Sequence, residues 1–340
     1  MKVKENIPTI PNYIIKKQNR ILLITLFCIF AVFQSGLRDI KTLPSYNDTP
    51  NYVRKYQEVS RASWEMLFKN FSFYSSDYGE RDLGYPIFIK MTQAIYNDFT
   101  FFMFLTAFIF IVPFGMLIYK YVKSFWGIIL SFLIYFGLYT NIVNSFMRQA
   151  IALGIILWGI NYFCNSDWKK YFSLALIAFL IHASSILAFP LYFFPRWGSS
   201  RKCLLAALII SPYLMLYTSN IIAFFATGTQ YEKYAMEDSL SPINFIFFLI
   251  LSATITFLFY NRIKDYPDSR LLISGVVGST LLIPIVWLGG TAIRLSFYYS
   301  VFIVPIFPVI LDNANLNKTI RKIAYLIGIF FFIYFIYRKG

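Results

Sequence analysis

Long apolar stretches alternate with short polar breaks along nearly the whole chain. The stretches 21–37, 99–119, 125–140, 142–163, 203–222, 242–260, 271–289, 295–311 and 322–337 each read as one helix. Most approach the ~20 residues that carry a helix across a hydrocarbon core of about 30 Å. A backbone facing lipid must satisfy its own N–H and C=O groups, so helices are the form required. The pattern predicts an all-α polytopic transmembrane helix bundle, one integral membrane domain over 1–340. A large extracytoplasmic loop with short helices falls at 38–98 and a second at 223–241. The first stretch, behind Lys16, Lys17 and Arg20, has the charge and apolar length of a signal peptide. It lacks a clear small-x-small cleavage site and similar segments follow it, so it reads as an uncleaved first span.

One segment does not fit a single crossing. With the lysine-rich N-terminus inside, Lys120, Lys123, Lys169 and Lys170 also fall inside, but one passage through 171–195 throws Arg196, Arg201 and Lys202 outside. That violates the positive-inside rule. The conflict disappears if 171–195 enters and returns as two short helices of about 12 residues, breaking at "HASS". Every later basic cluster then lands inside, and the inside segments carry 18 Lys and Arg against 5 Asp and Glu. About eleven membrane segments result, two of them short, with the C-terminus outside.

Composition changes little in this picture. The chain is 58% hydrophobic, 21% aromatic and 14% charged, with a mean hydropathy of +0.59, which is remote from a soluble balance. A formal charge of +15 invites a nucleic-acid reading. Its distribution in clusters between apolar runs argues instead for membrane topology, so no nucleic-acid partner is expected. Cys28, Cys164 and Cys203 lie in or beside apolar runs without CxxC spacing, as packing residues do.

The candidate chemistry lies in polar residues that interrupt apolar helices. Arg148 in "VNSFMRQAIALGIILWG" is followed by Gln149; a guanidinium within a span costs on the order of 3 kcal/mol unless it faces a cavity or a partner. Its planar donor fork suits phosphate or carboxylate; the alternative is an ion pair that only fixes packing. Arg294 in "GGTAIRLSFYYS" invites the same reading, or snorkelling to the interface. His182, the single histidine, sits at the hairpin turn. It is either a base or an imidazole that ties the turn through a backbone carbonyl. One histidine excludes a histidine-built metal centre. The 38–98 loop adds Asp77, Glu80 and Asp82 beside "GYPIF", where an apolar helix returns to the membrane surface. Carboxylates among tyrosines hold sugar hydroxyls and supply bases, though a solvated acidic loop looks similar. No Walker A, GxGxxG, HExxH or GxSxG pattern occurs.

The order of these pieces resembles the EpsG-like family of bacterial exopolysaccharide and O-antigen polymerases, often described as Wzy-like. The resemblance rests on Arg38 followed by Asp48, Thr49 and Tyr52, an acid before "GYPIF", "MRQAIALGI", "KKYFSLALIAFLIHASSIL" and "IRLSFYY", and covers roughly 20–310. One departure is Asp82 where a Glu is expected two residues before the Gly-aromatic pair, with Glu80 nearby. The resemblance implies transfer of oligosaccharide repeat units from undecaprenyl diphosphate to another lipid-linked unit, on the outer face of the bacterial cytoplasmic (inner) membrane. It implies His182, Asp48, Asp82 and Glu80 as candidate catalytic groups. Arg148, Arg294, Gln149, Arg38, Tyr52 and Tyr298 become candidate substrate-binding groups. No cofactor and no metal are expected; a chain-length regulator protein is a further expected partner. The rival readings are a glycosyltransferase using a polyprenyl monophosphate sugar, a lipid-linked glycan flippase or transporter, and a membrane O-acyltransferase.

Overall fold

The computed structural model describes residues 15–40, 48–69, 82, 84–164, 167–218, 242–289 and 292–339. Among them there is no strand, in keeping with the all-α reading. α1 (Lys17–Gly36) is followed by three short helices, α2 (Thr49–Arg61), α3 (Trp64–Lys69) and α4 (Gly84–Ile95), and by the long α5 (Phe99–Tyr121). α6 (Phe125–Ile134) runs through a π turn at Tyr135–Tyr139 into α7 (Thr140–Ser145). Then come α8 (Met147–Trp158), α9 (Ile160–Cys164) and α10 (Trp168–Ile181), and after two 3-10 turns α11 (Phe194–Trp197). The rest is α12 (Arg201–Met215), α13 (Ile243–Leu258), α14 (Tyr260–Ile263), α15 (Ser269–Leu281), α16 (Ile283–Trp287), α17 (Ile293–Ser300), α18 (Ile306–Asn313) and α19 (Lys318–Lys339). Five stretches, Lys17–Gly36, Phe99–Tyr121, Phe125–Ser145, Ile293–Asn313 and Lys318–Arg338, are long and apolar enough to cross a membrane, and shorter apolar helices join them. The protein is a multi-pass membrane bundle.

One boundary differs from the sequence reading. The turn between the third and fourth crossings falls at Phe146 rather than near residue 141. Apolar residues continue on both sides of it, so hydropathy gives no mark of the reversal. α8 then packs on α5 so closely that a Cβ on Gly154 would strike the Ile109 carbonyl, the small-residue approach that membrane helices use in place of a hydrophobic drive.

The segment 171–195 does fold back on itself. α10 ends at His182, whose extended backbone (φ −155°, ψ 114°) breaks the helix. The returning chain lies along α10, with the Tyr171 hydroxyl donating to the Ala188 carbonyl at 2.7 Å and the Phe172 ring 5.7 Å from Phe189. Only the first arm is an α-helix of the expected length; the second consists of 3-10 turns and the four-residue α11. Pro190 and Pro195 stand in that arm and remove backbone donors that a regular helix needs.

The ends of the bundle separate cleanly. At one end Lys120 pairs with Asp268 at 2.8 Å, the Tyr266 hydroxyl donates to the Tyr121 carbonyl at 2.8 Å and the Tyr260 hydroxyl to the Ser199 carbonyl at 3.2 Å. Arg201 lies over the Phe257 ring at the same end, so the hairpin returns its basic residues to the side of Lys120. The opposite end gathers α2, α4, the Phe146 turn, the His182 break and the start of α17.

Candidate active site

Asp82 is the hub of this second end. It precedes α4, whose first residue, Gly84, lies so close to α10 that an added Cβ would come within 3.0 Å of the Leu180 backbone. A residue without a side chain lets α4 bring Asp82 against the break in α10 without displacing that backbone. With the helix ended at His182, the Ala183 N–H is free to donate to Asp82 Oδ1 at 2.8 Å. Asp82 Oδ2 accepts from Arg148 Nη1 at 2.6 Å and from His182 Nδ1 at 3.0 Å. Burial alone would raise the Asp82 carboxyl, but His182, Arg148 and the Ala183 N–H together hold it below the ordinary carboxylate value. Asp82 is therefore a carboxylate and accepts only, which places a proton on His182 Nδ1.

A second ion pair stands beside the first. Asp48 occupies the N-cap of α2 yet makes no side-chain cap; its Oδ2 instead accepts from Arg294 Nη2 at 2.7 Å. The Phe146 ring lies 4.0 Å from the Arg294 guanidinium, and the Gln149 amide donates to the Arg294 carbonyl. The Thr49 hydroxyl donates to the Asn144 carbonyl at 2.8 Å. Residues 144–149 thus join both pairs into one network. The rings of Tyr52 and Tyr85 stand 5.9 and 5.8 Å from the Arg148 guanidinium, within cation-π range. Arg294 Nε, Gln149 Oε1 and the Tyr85 hydroxyl are buried and find no hydrogen-bond partner among the described residues. Buried polar groups are seldom left in that state.

The matching family model, that of the EpsG family, covers residues 21–339, nearly the entire chain. The chain belongs to the EpsG family. The resemblance drawn from "MRQAIALGI", the His-x-Ser turn and "IRLSFYY" is thereby borne out, and membership associates the chain with exopolysaccharide polymerisation and glycosyltransferase-like activity. No curated protein and no solved structure matches it.

The network of this EpsG-family chain includes most of the residues named from sequence. Asp82, His182 and Arg148 meet directly; Asp48, Arg294 and Gln149 form the neighbouring group. Tyr52 packs edge-on against Tyr85 at 6.0 Å, and the buried Tyr298 hydroxyl lies 3.2 Å from the Ser184 hydroxyl, two residues beyond His182. Arg38 stands apart from the carboxylates, bonded to the Ser35 carbonyl and 3.6 Å from the Met147 sulfur. Glu80, Asp77 and the loop 223–241 lie outside the described residues. Arg148 and Arg294 are each paired with a carboxylate, the ion-pair arrangement that was one of the two readings of a guanidinium in an apolar helix. Tyr85, Phe146 and Ser184 were not singled out individually, although the stretches "GYPIF", "VNSFMRQ" and "HASS" contain them.

Lys90, on the otherwise apolar α4, braces the site. Its ammonium donates to the carbonyls of Val59, Ser60 and Ala62 at 3.2, 3.3 and 2.8 Å, filling the open C-terminus of α2. Gln93 adds a bond to the Tyr56 carbonyl at 2.8 Å. Asp48 and Asp82 are in this way carried by one α2–α4 unit. Lys90→Met is expected to destabilise the protein by about 1–3 kcal/mol, read as a lower thermal midpoint in detergent, with Lys90→Arg recovering part of the loss.

Proposed function

We propose that this protein is a polysaccharide polymerase that transfers an oligosaccharide from undecaprenyl diphosphate to the end of another lipid-linked repeat unit. The observation that carries the reading is Asp82 bridging Arg148 and His182, with the Arg294–Asp48 pair alongside. Asp82 orients the imidazole, and Nε2 of His182 takes the proton of the acceptor hydroxyl. The acceptor oxygen bonds to the anomeric carbon as the bond from that carbon to the phosphate oxygen breaks. The electron pair departs on the diphosphate, whose growing charge the remaining guanidinium donors stabilise. Arg294 Nε, without a partner in the resting site, is one such donor.

The pairing of both arginines also fits a purely structural role. Orphaned donors and acceptors at the same place favour a site, since a packing device gains nothing from leaving them unmet. The proposed location is the bacterial cytoplasmic membrane, with this end facing the periplasm or cell exterior. The basic residues at the opposite end support that orientation through the positive-inside rule.

Cells lacking the gene product are expected to accumulate single repeat units capped on the lipid, and the wild-type gene to restore chains. His182→Ala separates base from turn. Lost polymer at unchanged protein abundance supports chemistry, and a fall in abundance that accounts for the lost polymer supports a structural imidazole.

A further inference from the structure

The loop between α1 and α5 was read as a large extracytoplasmic segment with short helices, of which the apolar one after Asp82 returns to the membrane surface. Its second helix does not have an aqueous surface. α3 has the sequence WEMLFK and buries none of its residues. Trp64 is 42% exposed, Met66 56% and Phe68 56%, while Leu67 alone turns inward against the core. Lys90 of α4 bonds to the Ala62 carbonyl just before α3, which ties α3 to α4. On α4 and just past its end, Met91, Ile95 and Tyr96 are exposed in turn. Six large apolar side chains are exposed on two helices braced through Lys90, with Glu65 exposed among them, an apolar density far from what a solvated loop presents.

We propose that α3 and the C-terminal half of α4 lie in the bilayer interface, as a platform that seats the Asp82–His182–Arg148 cluster at headgroup depth. Three observations select lipid as the occupant. The platform adjoins helices with exposed apolar side chains of their own: α4 leads directly into α5, a stretch long and apolar enough to cross a membrane, where Phe108 is exposed, and packs at Gly84 on α10, where Leu176 and Ile177 are exposed. Its composition of Trp, Phe, Met and Tyr is that of interfacial helices. Its rim is basic at Arg61 and Lys69, both exposed, as suits phosphate headgroups. The polar face of α2, with Gln57 and Glu58 exposed, is left to water. Asp82 stands two residues before α4, so a substrate whose diphosphate lies among the headgroups meets the cluster without leaving the bilayer.

The test is independent of any activity. In a variant with Cys28, Cys164 and Cys203 replaced by alanine, single nitroxide labels are attached at Met66→Cys, Phe68→Cys and Ile95→Cys. The protein is reconstituted in phosphatidylethanolamine and phosphatidylglycerol vesicles, with Gln57→Cys as the aqueous reference and Phe108→Cys as the lipid reference. Collisions with oxygen should exceed those with a water-soluble nickel chelate several-fold at all three platform positions, as at 108, with the order reversed at 57. Nickel collisions matching those at 57 overturn the proposal in favour of an aqueous loop. Low collision with both agents overturns it in favour of a protein partner or a second copy covering the face.

Discussion

Asp82→Asn is expected to lower the rate of chain elongation by about 10²-fold or more, the range a positioned acid or base contributes. The substitution keeps the side-chain shape and an oxygen to accept the Ala183 N–H. It removes the charge that fixes the proton on His182 Nδ1 and neutralises Arg148, and it breaks a pair whose Asp82 side chain is only 6% exposed. Removing one partner of a buried pair costs on the order of 3 kcal/mol, and the 39% exposure of the Arg148 side chain moves the expectation toward the lower side. Stability and rate therefore fall together in the single variant. Asp82→Asn combined with Arg148→Met separates them: thermal stability returns toward wild type because no unpaired charge remains, while elongation stays lost. Recovery of elongation in the double variant would show that the cluster serves packing alone.

Arg294→Lys is expected to reduce turnover by about 10²-fold to 10³-fold, the loss seen when one donor to a developing anion is removed. A lysine keeps the charge and a bond to Asp48. It lacks the planar fork that serves Asp48 through Nη2 and still offers Nε to a phosphate oxygen, so it does not substitute for arginine here. The measurement is the length distribution of lipid-linked chains in cells expressing the variant at wild-type level. Normal chain length at that level removes Arg294 from the site.

Much of the architecture could be read from the residues, and the reasons are physical. Lipid demands apolar helices, so the crossings show as runs, and the misfit of Arg196, Arg201 and Lys202 with a single passage points to the hairpin from sequence alone. Arg148 and His182 attracted attention because a charge or an imidazole in an apolar helix needs compensation. What remained hidden was the compensation itself. The partner that serves both is Asp82, 66 and 100 residues away in sequence, and among several acidic residues in one loop nothing local distinguishes it. The depth of Gly84 against α10 decides the matter, and that is a property of packing. Lys90 was overlooked for a similar reason: a lysine in a short apolar helix looks like a snorkelling side chain until the carbonyls it caps are seen.

The central claim is that the paired cluster transfers glycan directly from a lipid diphosphate. It is tested most directly with the purified protein in liposomes, supplied with undecaprenyl-diphosphate-linked repeat units as the sole glycan source. The expected result is a ladder of elongated lipid-linked chains, with one undecaprenyl diphosphate released for each bond formed and elongation maintained in the presence of a chelator. Failure of the active wild-type preparation to elongate these units, or elongation only after a prenyl monophosphate sugar is added, would contradict it.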